Sequence, residues 1–399
     1  MNVRPHDVAV GLALALPWIA APLVTGWRTA DSRSLDEERD DPPADPPLVS
    51  VVIPARDEAG NIERCLTSVL ATTWPRVEVI VVDDHSRDDT AALASTIAAR
   101  DARVRVVAAP ELPSGWFGKQ WASQSGARAA RGDILCFIDA DTIHAPDLLT
   151  RTVNSIRSRG AVMVTVAGTQ AMVTFWETLL QAQMFAMLAM RYGGTETVNR
   201  SRHAWDKIAN GQFIAITRAA YDRIGGHAAV RDRVAEDLML AQRLFLAGEP
   251  TALILGTAQL STRMYTSLGA IVRGWGKNVF AGGIDALPPW RPLRLLFPLG
   301  LTAFPLAQLL PVGVLLSRPF AATTSPTTTV WLVATLAAIV AAWSAVYIRA
   351  RRSPLYALAF PLGAAVLLWI FVSAIARGRR VRWKGRDYDG SGQARSSSS

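Results

Sequence analysis

Four stretches of the chain, residues 8–27, 295–316, 327–348 and 354–376, carry no charge. Each is close to the roughly 20 residues a helix needs to cross hydrocarbon. The first has only Arg4 ahead of it and is long for a cleaved signal peptide, so it reads as an anchor. From Leu48 the pattern changes to short β-branched runs, Val49–Ile53, Val77–Val82, Val104–Ala108, Ile134–Ile138 and Ala161–Val166. Helical segments fall between them, near 60–71, 88–100, 119–130 and 146–158. Such alternation predicts βαβ units and an α/β, Rossmann-like domain whose mostly parallel sheet is covered on both faces. Thr29–Pro47 is rich in Asp, Glu and Pro, lacks apolar periodicity, and reads as a solvated linker. After Val166 the alternation lapses. Phe175–Met190 is a long apolar helix, suited equally to a core or a lipid interface, and Glu236-Asp237 opens a helix running to Ala247.

The implied organisation is an anchor over 1–28, a linker over 29–47, a globular domain over 48–290, membrane segments over 291–376 and a basic, then Ser-rich tail over 377–399. Disorder is expected at Ser396–Ser399. A chain of 399 residues with 50% hydrophobic content accommodates one large domain plus several spans. The net charge of +9 is concentrated in Arg377, Arg379, Arg380, Arg382, Lys384 and Arg386, which suits a membrane surface bearing anionic lipid. Flanking spans argue against a nucleic-acid partner. Cys65 and Cys136 fall in a predicted helix and strand and read as buried thiols of a reducing compartment. No feature of the sequence sets an oligomeric state.

Ligands of such a sheet bind beyond the carboxyl ends of its strands. Strand ends here carry Pro54-Ala55-Arg56-Asp57-Glu58, Asp83-Asp84-His85-Ser86 and Asp139-Ala140-Asp141. Carboxylates gathered this way repel unless a cation or donor compensates, so they mark a functional pocket. Asp139 and Asp141 have the spacing to offer oxygens to one hard cation, although Asp-x-Asp also occurs in solvated turns. Asp84 is placed to accept a base N–H, while Ser86, Asp88 and Asp89 equally suit a helix cap. Lys119 follows glycines and has the reach to meet a phosphate, or else to snorkel at the surface. Glu236 and Asp237 stand at a helix start, where acids are favourable anyway; Asp237 is also the candidate base for an attacking hydroxyl.

The segments Val49–Glu58, Val81–Ser86, Ser114–Trp121, Asp139–Asp141 and Glu236-Asp237 resemble, in this order, the motifs of family 2 glycosyltransferases over roughly residues 48–280. The resemblance implies a GT-A fold, a UDP- or GDP-linked sugar donor and Mg²⁺ or Mn²⁺. It assigns Pro54, Ala55, Arg56 and Glu58 to the nucleotide site, Asp84 to the base, Asp139 to ribose or metal, Asp141 to the metal and Asp237 to the base catalyst. Gly115–Lys119 and Val381–Arg386 look more like the hopanoid-associated and carotenoid branch, which implies a lipid or isoprenoid acceptor. Processive synthases of the family carry Gln-x-x-Arg-Trp, whereas this chain reads Arg273-Gly274-Trp275, so single-sugar transfer is expected. Trp275 then suits stacking on a sugar or a lipid interface.

Nucleotide sugars are cytoplasmic, which sets the expected side of the domain. Three late crossings would then put the basic tail outside, against the positive-inside bias. The segment 295–316, interrupted by Pro298, Pro305 and Pro311, is therefore expected to be re-entrant or interfacial. The rival readings are a processive polysaccharide synthase and, from another class, a catalytically inactive membrane scaffold or binding protein. A transporter is disfavoured by few spans free of charge.

Overall fold

The computed structural model describes residues 4–317, 325–378, 381–383, 386–388 and 394–395. Arg379, Arg380, Lys384 and Ser396–Ser399 lie outside the described residues. The strands are β1 Val49–Ala55, β2 Val77–Asp83, β3 Val104–Ala108, β4 Ile134–Ile138, β5 Thr142–His144, β6 Met163–Ala167, β7 Thr169–Gln170, β8 Phe213–Thr217, β9 Thr251–Leu255, β10 Leu260–Thr262, β11 Val381–Trp383, β12 Arg386–Tyr388 and β13 Ala394–Arg395. The helices are α1 Pro5–Ala30, α2 Ile62–Leu70, α3 Thr90–Ala98, α4 Gly118–Ala129, α5 Leu148–Ser158, α6 Ala182–Tyr192, α7 Thr195–Arg200, α8 Arg218–Arg223, α9 Glu236–Leu246, α10 Leu268–Asp285, α11 Arg291–Ser317, α12 Pro326–Arg349 and α13 Phe360–Arg377.

A seven-stranded sheet in the order β3-β2-β1-β4-β8-β6-β9 forms the centre. Its strands are parallel except β8, which runs antiparallel to both β4 and β6. Nearly every residue of β1, β2 and β4 is buried, because helices cover both faces and neither is left for polar side chains. Val51, Val79, Cys136 and Val164 pack into one core, Val52, Ile80, Leu135 and Ile214 into the other. Both cysteines are free and buried, as their elements predict. The strands of the first half run toward one rim, where their following loops converge.

The acidic segment after α1 departs from the expected solvated linker. Leu35 is fully buried, Ser34 bridges to Leu255, and Arg151 donates to the carbonyls of Leu35 and Glu38. Its lack of periodicity reflects docking by backbone groups and a single apolar anchor. Phe175–Met190 likewise resolves into a π-helical turn, Glu177–Gln181, followed by α6. This segment is sandwiched between the domain and the C-terminal helices, where Leu179 and Leu180 have no exposure.

Four helices, α1, α11, α12 and the segment Pro354–Arg377 that contains α13, are long and apolar enough to cross a membrane. Asp7 of α1 accepts a hydrogen bond from Thr327 of α12 (2.6 Å), and Gly11 packs against Val330, so these helices run side by side in the same direction. The far end of α12 reaches the domain through Tyr347, whose hydroxyl donates to the Leu179 carbonyl (3.2 Å). The segment expected to be re-entrant or interfacial, 295–316, is one continuous helix despite its three prolines, long and apolar enough to cross a membrane. It is α13 that follows the domain from end to end: Gly363 packs on Gln183, Leu367 and Phe371 on Leu180 and Met184, and Arg377 over Gly276. α13 packs against α11 as well, Leu301 joining Leu367 and Phe371 in one cluster, and turns Leu362, Trp369 and Val372 outward.

Candidate active site

Two loops at the rim hold each other by one backbone bond and several backbone to side-chain bonds. The Ala55 carbonyl accepts the Asp84 N–H (2.8 Å), the Glu58 N–H donates to Thr90 Oγ1 (2.7 Å), and the Ala59 N–H donates to Asp88 Oδ2 (3.0 Å). Asp57, left-handed at φ 52°, donates its N–H to Ser86 Oγ (3.1 Å) and accepts the Arg87 N–H on Oδ1 (2.8 Å). Asp88 accordingly clamps the first loop as well as shaping the start of α3. Arg56 is buried beneath, donating to the carbonyls of Asp84 and His85. Pro54, Ala55, Arg56, Glu58 and Asp84 thus border one end of the crevice.

At its centre the Lys119 ammonium, in the first turn of α4, lies 2.7 Å from Asp139 Oδ1 and 3.0 Å from Glu236 Oε1. Burial opposes its charge, but Asp139, Glu236 and Asp237 outweigh burial and hold the lysine well above its ordinary value. Burial likewise works against the Glu236 anion, and Lys119 overcomes it, leaving that carboxyl below the usual range. Asp237 accepts the Gly211 N–H on Oδ2 (2.8 Å) and its neighbour Leu238 N–H on Oδ1 (2.8 Å). Burial first, then the Glu236 charge, push Asp237 up to about 6. Gly211 is required by close approach: a Cβ there would stand 2.9 Å from Asp237 Oδ2 and 3.2 Å from Lys119 Nζ. The acids of two distant segments therefore share one crevice through a single lysine, Lys119, which carboxylates hold on both sides.

Asp141 sits between β4 and β5, its carbonyl accepting the Thr262 hydroxyl (3.1 Å). Its Oδ1 is buried and has no hydrogen-bond partner among the described residues. Burial, then repulsion by Asp139 and Glu58, push this carboxyl up to about 7. A buried oxygen without a partner and an anion opposed by its neighbours fit a divalent cation, which would satisfy both. Among the described residues no three His, Cys, Asp or Glu side chains converge enough to hold a metal by themselves. A cation at Asp141 would take its remaining oxygens from a diphosphate and water, as Mg²⁺ commonly does.

Residues 50–236 match the family model for glycosyl transferase family 2. The globular domain is a family 2 glycosyltransferase. Among curated relatives, the 4,4'-diaponeurosporenoate glycosyltransferase of Staphylococcus haemolyticus is 27% identical over 64% of this chain and 68% of its own length. The beta-monoglucosyldiacylglycerol synthase of Synechocystis sp. is 30% identical over 60% of this chain but only 46% of its own length. A mannosyltransferase of Pyrobaculum calidifontis, solved in complex with GDP-Man and Mn²⁺, superposes with a TM-score of 0.58 at 22% identity, over 93% of this chain and 98% of its own. That superposition establishes the GT-A fold and extends through the membrane helices.

Two groups at the glycosyltransferase site escaped the sequence reading. Both oxygens of Asp84 are held by Arg386, and Tyr388 stacks on Phe117 beside Lys119. Arg386, expected with the basic residues at a lipid surface, faces the protein instead. The signal lay in Arg382-Trp383-Lys384, where basic and aromatic residues alternate as in a strand just ahead of Arg386 and Tyr388. Trp275 is buried, its ring centroid 5.8 Å from that of Phe185 in a near-perpendicular arrangement and its N–H unpartnered among the described residues, while Arg273 is exposed.

Proposed function

We propose that this glycosyltransferase moves one sugar, with inversion, from a UDP- or GDP-linked donor to a hydroxyl of a membrane lipid or isoprenoid. The observation that carries the reading is the Lys119 bridge, which joins the Asp139-Asp141 turn to the Glu236-Asp237 helix start across one crevice. In this reading Pro54, Ala55, Arg56, Glu58 and Asp84 bind the nucleotide, and Asp141, with Asp139 beside it, holds Mg²⁺ or Mn²⁺. The metal, when bound, stabilises charge on the departing diphosphate. Asp237 accepts the proton of the acceptor hydroxyl as it attacks. The Gly211 and Leu238 N–H groups keep that carboxylate oriented, and Glu236 and Lys119 set the charge around it. The names of the relatives acting on a carotenoid acid and on diacylglycerol favour an apolar acceptor, as do the long apolar helices beside the domain. Membranes containing the enzyme, incubated with labelled UDP- and GDP-sugars and extracted lipids, are expected to yield a lipid carrying one sugar by mass. A ladder of sugars would identify a polymerising synthase, and no transfer from any donor would identify an inactive scaffold.

The same reading puts the catalytic domain in the cytoplasm. Arg386 on Asp84 requires tail and domain to share a side, hence an even number of crossings between them. We assign those crossings to α11 and α12, with α1 as the third span and α13 along the interface. A C-terminal reporter active only in the cytoplasm is expected to be active, and activity of one that works only outside would defeat the assignment.

A further inference from the structure

Arg386 is 302 residues from Asp84 in sequence, yet its Nη1 lies 2.6 Å from Asp84 Oδ2 and its Nη2 3.1 Å from Oδ1. The Asp84 side chain is 2% exposed and that of Arg386 18%, so this fork is shielded and outranks a surface ion pair. Two residues on, the Tyr388 ring stacks on Phe117 with centroids 4.3 Å apart and planes at 25°. Its hydroxyl accepts the Gly118 N–H (3.2 Å), the residue before Lys119. Tyr388 is itself 2% exposed. Neither contact comes from a loose end, because β12 pairs antiparallel with β11, Trp383 opposite Arg386 and Val381 opposite Tyr388. The tail thus reaches the two segments assigned to the nucleotide donor: the end of β2 and the start of α4.

Charge gives the contact its direction. Glu58, Asp139, Asp141, Glu236 and Asp237 line a crevice that has to accept an anionic diphosphate, and Arg386 adds a cation there. Its fork takes one lone pair from each Asp84 oxygen and sets the plane of the carboxylate; His85 Nδ1 at 3.5 Å from Oδ1 and Arg56 Nη1 at 3.9 Å from Oδ2 sit at longer range, so acceptor capacity remains for a base N–H. We propose that Arg386 and Tyr388 are positioning residues of the donor site: Arg386 orients Asp84 toward the nucleobase, and Tyr388 seats the Phe117–Lys119 segment. The proposal rests on the reading of Asp84 as the base contact.

The test uses the full chain in detergent, with UDP- and GDP-sugars plus Mn²⁺ as probes. Arg386→Ala raises the donor KM and Kd by about tenfold, the loss expected for a charge-assisted pair, with kcat within about threefold. Arg386→Lys recovers only part of the loss, since an ammonium cannot reproduce the fork. Tyr388→Phe, which keeps the ring stack but not the hydroxyl, weakens donor binding less than Tyr388→Ala. Should Arg386→Ala fail to fold, Arg386→Lys carries the same sign. Unchanged donor affinity in a folded Arg386 variant would show that the tail merely packs. Tighter binding would show that it competes with the nucleotide, and either result overturns the proposal. Asp84→Ala separates the two layers: if it leaves donor affinity intact, the base-contact reading itself fails, whereas a loss there without one at Arg386 removes only the tail.

Discussion

Replacing Asp237 with asparagine lowers kcat by about 10²–10⁴-fold, the range for losing a positioned general base, while the donor Kd stays within a small factor. The carboxylate accepts two backbone N–H groups, from Gly211 and Leu238, one on each oxygen. Asparagine retains one acceptor oxygen, so a hydrogen bond is also lost, at a net cost of about 1 kcal/mol. That cost is too small to unfold the domain and far too small to account for the kinetic loss. The pH profile supplies a second signature. Burial and Glu236 raise this carboxyl from 3.8 to about 6, so kcat/KM climbs as pH rises through about 6 and then levels. The sign of the stability effect is opposite. A carboxyl that holds its proton more tightly in the folded chain than in the unfolded one loses stability as pH rises between those two values. In the proposed mechanism, the stability given up at Asp237 leaves a carboxylate able to take a proton near neutrality. Kinetics of the purified variant decide the matter; kcat within threefold of the parent would place the base elsewhere.

Asp141→Asn is expected to move activity and stability in opposite directions. In the folded protein the carboxylate faces Asp139 and Glu58, is pushed up to about 7, and keeps one buried oxygen without a partner among the described residues. Neutral asparagine of the same shape removes that repulsion, so the melting temperature measured in chelator holds or rises. Transfer falls by about two orders of magnitude or more, because a cation contributes several kcal/mol of charge stabilisation. Mn²⁺ is expected to raise the melting temperature of the parent and to leave that of the variant unchanged. A variant that melts lower yet transfers normally would remove Asp141 from the metal site and return it to a structural role.

The helices bordering the crevice illustrate how far the pattern of residues reaches. Leu148–Ser158 and Gly118–Ala129 fall within a residue or two of their expected bounds. Both are long, flanked by buried β-branched strands, and governed by neighbours only a few residues away. The reversed direction of β8 was not legible. Phe213–Thr217 is as apolar as any parallel strand, and its direction depends on where α6 and α7 leave the chain. Leu35 gave no signal either, since one apolar residue among acids and prolines has no period to reveal it.

The sequence by itself determined the alternating α/β domain, the four apolar helices, the order of the acidic strand ends and the residue types able to handle a diphosphate sugar. Those features are local: they follow from periodicity, strand ends and side-chain chemistry within short windows. Only the tertiary structure decided that Lys119 joins Asp139 to Glu236, that α13 hugs the domain, and that Arg386 reaches Asp84. The last of these joins side chains 302 residues apart in the chain, and no local window contains all the partners of any of them. Their energies depend on burial and charge that exist only once the chain has closed on itself.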